Sequence, residues 1–110
     1  MNPDRRGFRF SVDAAAEIAP ENAPTATVSV KTTELSLHGC HIATLSPFTE
    51  GSQVFLKIFY LNEYFEAKGT VVYVQQAAGM GVEFRDLKPH FRIVLQRWIL
   101  EALRRQPKSK

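Results

Sequence analysis

The sequence has a single cysteine and no long apolar run. One cysteine, Cys40, cannot form a disulfide within the chain, which fits a reducing compartment. No apolar stretch reaches the roughly 18 residues that a membrane-spanning helix needs, and the polar, arginine-rich N-terminus does not resemble a signal peptide. We therefore expect a cytoplasmic protein without membrane insertion.

The sequence contains no recognisable arrangement of side chains for catalysis or metal binding. No nucleophile–base pair or carboxylate dyad can be assembled from the spacings, so we predict that the protein is not an enzyme and has no catalytic residue. His38, Cys40 and His41 come closest to a metal site, but they follow no zinc spacing, and on a strand His41 points away from the other two. The sequence therefore predicts no metal and no cofactor, and Cys40 is interpreted as a small buried apolar residue.

The net charge of +3 is unevenly distributed along the chain. Residues 1–9 carry +2, residues 10–90 carry −4, and residues 91–110 carry +5. A groove that follows a nucleic acid backbone should be basic, so the acidic middle of the chain argues against such a partner. An oligonucleotide-binding barrel remains the rival interpretation, because aromatic side chains suit that role. Its candidates are Phe8, Phe10, Phe55 and Phe59.

A chain of 110 residues that is 45% hydrophobic fits one globular domain. Short runs of alternating or branched apolar residues indicate five strands, two of them joined by a tight hairpin through Asn62 and Glu63. These strands are Ala26–Thr33, Cys40–Leu45, Val54–Leu61, Tyr64–Gln75 and Gly79–Phe84. Ser11–Ala19 is ambiguous, since Asp13 before three alanines suits a capped helical turn, whereas Val12, Ile18 and Pro20 suit a strand.

The end of the chain has the pattern of an amphipathic helix from Pro89 to Arg105. Proline suits the first helical position, and Pro107 follows the last. Apolar residues recur at helical spacing and predict a buried face that includes Trp98. They are Phe91, Val94, Leu95, Trp98, Ile99, Ala102 and Leu103.

Two polar stretches stand out from this pattern. Glu34, Ser36 and Gly39 follow the order acid, any, Ser, any, any, Gly. A carboxylate and a hydroxyl two residues apart on an extended backbone point to the same side, and the glycine allows a tight turn or a close approach by a ligand. Near the N-terminus, Arg5 and Arg9 are spaced four residues apart.

Together these stretches resemble the two signatures of the PilZ domain family, Arg-x-x-x-Arg and Asp/Asn-x-Ser-x-x-Gly. Glu34 departs from the second signature, where the family usually has Asp or Asn. Gly79–Phe84 resembles the Gly-x-Gly-Val-x-Phe closing strand of the family, so that the resemblance covers roughly Arg5 to Leu103.

The resemblance implies a mainly β fold, a six-stranded antiparallel PilZ-type split β-barrel with a C-terminal α-helix. Ser11–Ala19 is then the first strand. Residues 11–105 form the single domain, residues 1–10 a flexible arm, and residues 106–110 a disordered tail.

The ligand that the resemblance implies is cyclic di-GMP, and the residue types suit it. The guanidinium groups of Arg5 and Arg9 can make bidentate hydrogen bonds to a phosphate or to a guanine. The neighbouring Arg6 contacts either ligand or solvent. Glu34 can accept hydrogen bonds from the guanine edge, while Ser36 can bond phosphate and Gly39 lets backbone come close. We infer that ligand neutralises the arginines and draws residues 1–10 onto the barrel. The protein would then act as a stand-alone adaptor, a monomer or weak dimer, that regulates an effector protein in motility, biofilm formation or secretion.

Simpler interpretations of the same residues remain open. Arg5 and Arg9 can be a solvated arm, Glu34 can pair with a lysine, and Ser36 with Gly39 can build a turn. In that case the chain is a PilZ-fold interaction module with a degenerate motif that does not bind cyclic di-GMP.

Overall fold

The computed structural model describes residues 8–105. Those residues form six β-strands followed by one α-helix. The elements are β1 (Arg9–Pro20), β2 (Val28–Ser36), β3 (Gly39–Ala43), β4 (Gln53–Tyr60), β5 (Glu63–Gln75), β6 (Gly79–Asp86) and α1 (Pro89–Arg105). The first seven residues, which include most of the predicted arm, and the predicted tail at residues 106–110 lie outside the described residues.

The strands close into a barrel in the order β1-β2-β3-β6-β5-β4, and each neighbouring pair is antiparallel. β4 pairs back onto β1, so the sheet is left without an open edge. Strand residues alternate between the core and the outer surface, as in β4, where Val54, Leu56 and Ile58 are at most 2% exposed. The prediction of a six-stranded antiparallel barrel with a C-terminal helix is confirmed.

The ambiguous segment after Phe10 is a strand. Ala14, Ala16 and Ile18 alternate with exposed residues and are fully buried, which is the period of a strand. Ala14 and Ala16 belong to the same core cluster as Phe65 and Trp98, and their small side chains leave room for those rings. Packing therefore outweighs the helix propensity of the alanines.

Helix α1 closes one end of the barrel through Trp98. The indole ring lies edge-on to Tyr60 and tilted against Phe65, with ring centroids 5.4 Å apart in both cases. Its Nε1–H donates a hydrogen bond of 2.9 Å to Glu63, the first residue of β5. The predicted helix bounds and the buried position of Trp98 are confirmed.

One residue of the predicted buried helix face lies on the other side. Leu103 is 41% exposed, because it follows Trp98 by five residues and is rotated about 140° from it around the helix axis. The helix is too short and too polar to cross a membrane.

The strand boundaries differ from the prediction by one to three residues at most ends, and three of the differences change the interpretation of a segment. β1 begins at Arg9 rather than Ser11, so that Arg9 and Phe10 are strand residues and not part of the arm. β2 continues to Ser36, three residues beyond the predicted end. The β4–β5 turn is formed by Leu61 and Asn62, whose φ angles of 53° and 66° fit a type I′ turn.

Candidate functional site

A cleft of about 460 Å³ lies on the outer surface of the barrel, where β1, β2, β3, β6 and β5 run side by side. Four of the six predicted binding residues line it: Arg9, Glu34, Ser36 and Gly39. The other two, Arg5 and Arg6, lie outside the described residues. The strand register explains the convergence, since Arg9 lies opposite Ser36 on β2, and Glu34 lies opposite His41 on β3.

Arg9 and Glu34 form an ion pair across the edge of this cleft. The Arg9 Nη1 donates to Glu34 Oε1 over 3.4 Å, and the two side chains are 60% and 45% exposed. A long, exposed pair of this kind contributes only about 0–1 kcal/mol, because water screens it and ordering two long side chains costs entropy. Both groups are therefore free to exchange partners. In the structure Glu34 therefore pairs with Arg9, and not with a lysine as in the alternative interpretation.

Ser36 builds the turn that joins β2 to β3. Its Oγ accepts a hydrogen bond of 3.2 Å from the His38 N–H and donates one of 3.4 Å to the Gly39 carbonyl. The hydroxyl thus supplies hydrogen-bond partners to two backbone groups at the tip of the hairpin, as serine often does in turns. Because both contacts are long, the hydroxyl keeps the capacity to reorient towards a ligand.

Gly39 has a structural requirement of its own. A Cβ at this position would lie 2.3 Å from the carbonyl oxygen of Val82, on the neighbouring strand β6. A backbone atom cannot move aside as a flexible side chain can. Glycine is therefore required for the close pairing of β3 with β6, whether or not a ligand binds.

His41 and Tyr73 form the floor of the cleft and were not predicted as site residues. The His41 Nδ1 and the Tyr73 hydroxyl oxygen lie 3.0 Å apart, within hydrogen-bond distance. The two rings are stacked with centroids 6.0 Å apart. Tyr73 is nevertheless 44% exposed and lines the cleft.

Gly81 makes room for this ring. A Cβ on Gly81 would lie 2.1 Å from a carbon of the Tyr73 ring, so the side chain of Tyr73 covers the glycine on the neighbouring strand. Partial burial raises the pKa of Tyr73, the nearby Glu34 carboxylate raises it further, and Arg9 opposes them. The phenol is therefore protonated at neutral pH and can donate a hydrogen bond.

Cys40 turns its side chain to the inside of the barrel, where it packs against both core clusters. Burial raises the pKa of its thiol to about 12, so the thiolate that would bind a metal or act as a nucleophile is not formed near neutral pH. Within residues 8–105 no group of three or more His, Cys, Asp or Glu side chains could hold a metal ion.

Three solved structures share this fold at low sequence identity. The PilZ domain with c-di-GMP of YcgR from Escherichia coli aligns with a TM-score of 0.74 and 18% identity, covering 91% of this chain and 92% of that one. The Bacillus subtilis inhibitor of motility (MotI/DgrA) aligns with a TM-score of 0.75 and 18% identity over 94% of this chain and 53% of that one. The PilZ domain of CeSA from a cellulose-synthesizing bacterium aligns with a TM-score of 0.67 and 13% identity, covering 88% and 99%.

These likenesses establish the fold, and this chain spans about half the length of the Bacillus protein. A search of curated protein sequences finds no significant match. The sequence profile of the PilZ domain matches residues 3–101, which is nearly the whole chain and includes both polar motifs and the closing strand. The chain therefore belongs to the PilZ domain family.

Proposed function

We propose that this domain binds cyclic di-GMP in the cleft between Arg9, Glu34 and Tyr73, and acts as a signalling adaptor. The observation that carries the proposal is the convergence of Arg9 with Glu34, Ser36 and Gly39 on one open cleft in a PilZ fold. The cleft volume of about 460 Å³ falls in the range of small-molecule sites, roughly 300–1,000 Å³. The E. coli relative described above has c-di-GMP in its structure, which supports the choice of ligand.

Arg9 binds a phosphate of the ligand. Its guanidinium has five donors, and its ion pair with Glu34 is long and exposed, so it can turn from the carboxylate to an anionic oxygen at small cost. A charge-assisted hydrogen bond of this kind contributes about 1.5–3 kcal/mol. Partner exchange at Arg9 is thus the first step of binding.

Glu34 and Tyr73 hold a guanine base. The carboxylate released by Arg9 accepts hydrogen bonds from the N1–H and N2–H₂ edge, which presents two donors side by side. The exposed Tyr73 ring stacks on the base, an interaction that contributes about 1–3 kcal/mol per base in other proteins. The raised pKa of Tyr73 keeps the ring neutral beside the phosphates.

Arg5 and Arg6 complete the site from the preceding segment. Arg5 is four residues from Arg9, so an extended backbone lets it reach about 13–14 Å from that residue. This is sufficient to reach the far side of a compact dinucleotide seated in the cleft. The dianion offsets two of the three positive charges of the arginines and holds residues 1–8 against the barrel, which creates a new surface that an effector protein recognises.

Isothermal titration of the purified protein with cyclic di-GMP tests the proposal. We expect binding in the micromolar range for the wild type and its loss in Arg9→Ala. Glu34→Asp should bind as well or more tightly, because the shorter acid has less hold on Arg9 and is the usual family residue. Arg92→Ala is the matched control, since it removes an exposed arginine from α1 and should leave the affinity unchanged.

Two outcomes of this titration count against the proposal. The absence of binding by the wild type at high protein concentration favours the second candidate, a PilZ-fold interaction module whose site is closed by the Arg9–Glu34 pair. Equal affinity of Arg9→Ala and wild type would place the nucleotide elsewhere. Hydrogen exchange gives an independent test of the adaptor step, with stronger protection of the amides of residues 1–8 expected when ligand is bound.

A further inference from the structure

Helix α1 has a second apolar stripe on the side that faces away from the barrel. Ile93, Leu100 and Leu103 are 58%, 59% and 41% exposed, although they are large aliphatic side chains. With Gln96 they are spaced three, four and three residues apart, which is the repeat of the a and d positions of a coiled-coil heptad. The 17-residue helix is about 25 Å long, enough to present two heptads to another helix.

The flanks of this stripe are basic. In the heptad register, Arg92 occupies a g position, and Arg97 and Arg104 occupy e positions, the places that choose the partner of a coiled coil. Arg97 donates to Glu63, but Arg92 and Arg104 have no acidic partner among the described residues. The stripe is therefore flanked by the uncompensated charges of Arg92 and Arg104, whereas the charge of Arg97 is compensated by Glu63.

We propose that this stripe, Ile93–Leu103, is a docking surface for an amphipathic helix of a partner protein whose apolar seam is flanked by acidic residues. A second copy of the chain is the wrong partner. A parallel pair of these helices sets Arg92 beside Arg97 of the other copy, and an antiparallel pair sets Arg97 beside Arg104. Arg97 is already engaged by Glu63, and no e or g position from residue 92 to residue 104 is acidic, so a second copy offers Arg92 and Arg104 no carboxylate across the helix pair. Acidic flanks on the partner neutralise the same arginines while its apolar seam covers Leu100.

A pair of synthetic peptides tests the preference of the stripe for acidic flanks. Each fluorescently labelled peptide has three heptads with Leu at the a and d positions, and carries Glu at e and g in one case and Lys in the other. Titration with the protein, followed by fluorescence anisotropy, should show binding of the Glu peptide and at least about tenfold weaker binding of the Lys peptide.

Three variants locate the binding on the helix. Leu100→Glu should weaken binding of the Glu peptide by about tenfold or more, because it replaces a leucine that becomes buried in the complex. Arg104→Glu should weaken the binding of the Glu peptide and strengthen the binding of the Lys peptide. Leu45→Glu is the matched control, an 81% exposed leucine just beyond β3 and next to the β5–β6 turn, and should change nothing.

Each contrary outcome overturns the proposal. Equal binding of the two peptides, or unchanged binding to Leu100→Glu, means that the stripe does not select an acidic helix. A dimer of the wild type that is abolished by Leu100→Glu in sedimentation means that a second copy covers the stripe. The experiment involves no nucleotide and no cleft residue, so its failure leaves the cyclic di-GMP proposal unaffected.

Discussion

The indole of Trp98 and the carboxylate of Glu63 are joined by a hydrogen bond of 2.9 Å, with Arg97 donating to the other carboxylate oxygen over 2.5 Å. This contact ties α1 to the first residue of β5, beside the β4–β5 hairpin. Trp98 is the single tryptophan of the chain, so its fluorescence reports directly on whether the helix is docked.

We predict that Glu63→Gln lowers stability at neutral pH and that this difference disappears in acid. The hydrogen bond from Trp98 lowers the pKa of Glu63 from its ordinary value of 4.5, and Arg97 adds to the effect. A depressed folded-state pKa contributes stability that is fully present above the unfolded value and is lost as the pH falls through the folded value.

Urea titrations followed by Trp98 fluorescence, at a series of pH values from neutral to below 4.5, measure this difference. Glu66→Gln, which removes an exposed carboxylate of β5, controls for the change in net charge. A difference between Glu63→Gln and wild type that stays constant down to strongly acidic pH contradicts the assigned contact.

We predict that Gly39→Ala destabilises the barrel itself, by about 1–3 kcal/mol, the usual cost of forcing an extra methyl group into a packed site. The added Cβ would meet the Val82 carbonyl oxygen at 2.3 Å, and the two strands must move apart to admit it. The urea midpoint measures the loss, and Ser29→Ala at an exposed position of β2 should shift the midpoint little. A Gly39→Ala protein as stable as wild type would show that glycine is kept there for another reason.

We predict that the Tyr73 ring, more than its hydroxyl, supports nucleotide binding. Tyr73→Phe keeps the stacking face and should bind cyclic di-GMP within a few-fold of wild type. Tyr73→Ala should bind roughly tenfold more weakly, since base stacking contributes about 1–3 kcal/mol. Calorimetry on the two variants separates the contributions, and a greater loss in Tyr73→Phe than in Tyr73→Ala would refute this assignment.

We predict that Cys40 reacts slowly with thiol reagents in the folded protein. With its pKa raised to about 12 by burial, the thiol forms little of the reactive thiolate at pH 8. Absorbance measurements with an aromatic disulfide reagent should give a rate more than about tenfold lower in buffer than in denaturant, where the pKa returns towards 8.5. Comparable rates in the two conditions would mean that the side chain is accessible.

The helix was predictable from the sequence because its signals are local. Pro89 starts it, and Trp98 and Leu95 lie on the face that is buried. Leu103 was assigned to the wrong face, because a broad apolar pattern does not show where the contact with the barrel ends. The exposed stripe that contains Leu100 was not predicted, for the same reason.

The ends of the strands and the floor of the cleft were not predictable, since they depend on pairing between distant segments. β2 extends to Ser36 because β1 and β3 continue to pair with it, a fact that its own residues do not encode. His41 and Tyr73 are 32 residues apart in sequence. They meet because β3 and β5 lie on either side of β6, where both residues pair with Gly81. The motif residues Glu34 and Ser36 were predicted because they match a family signature, and their spacing of two places them on one side of a strand.

The most direct test of the central claim is a titration of isotopically labelled protein with cyclic di-GMP, followed by amide chemical shifts. If the nucleotide binds in the proposed cleft, the shifts of Arg9, Glu34, Gly39, His41 and Tyr73 change together and saturate with a single affinity. Chemical shifts that stay constant at saturating ligand, or that change on α1 and leave these five amides unaffected, would contradict the account.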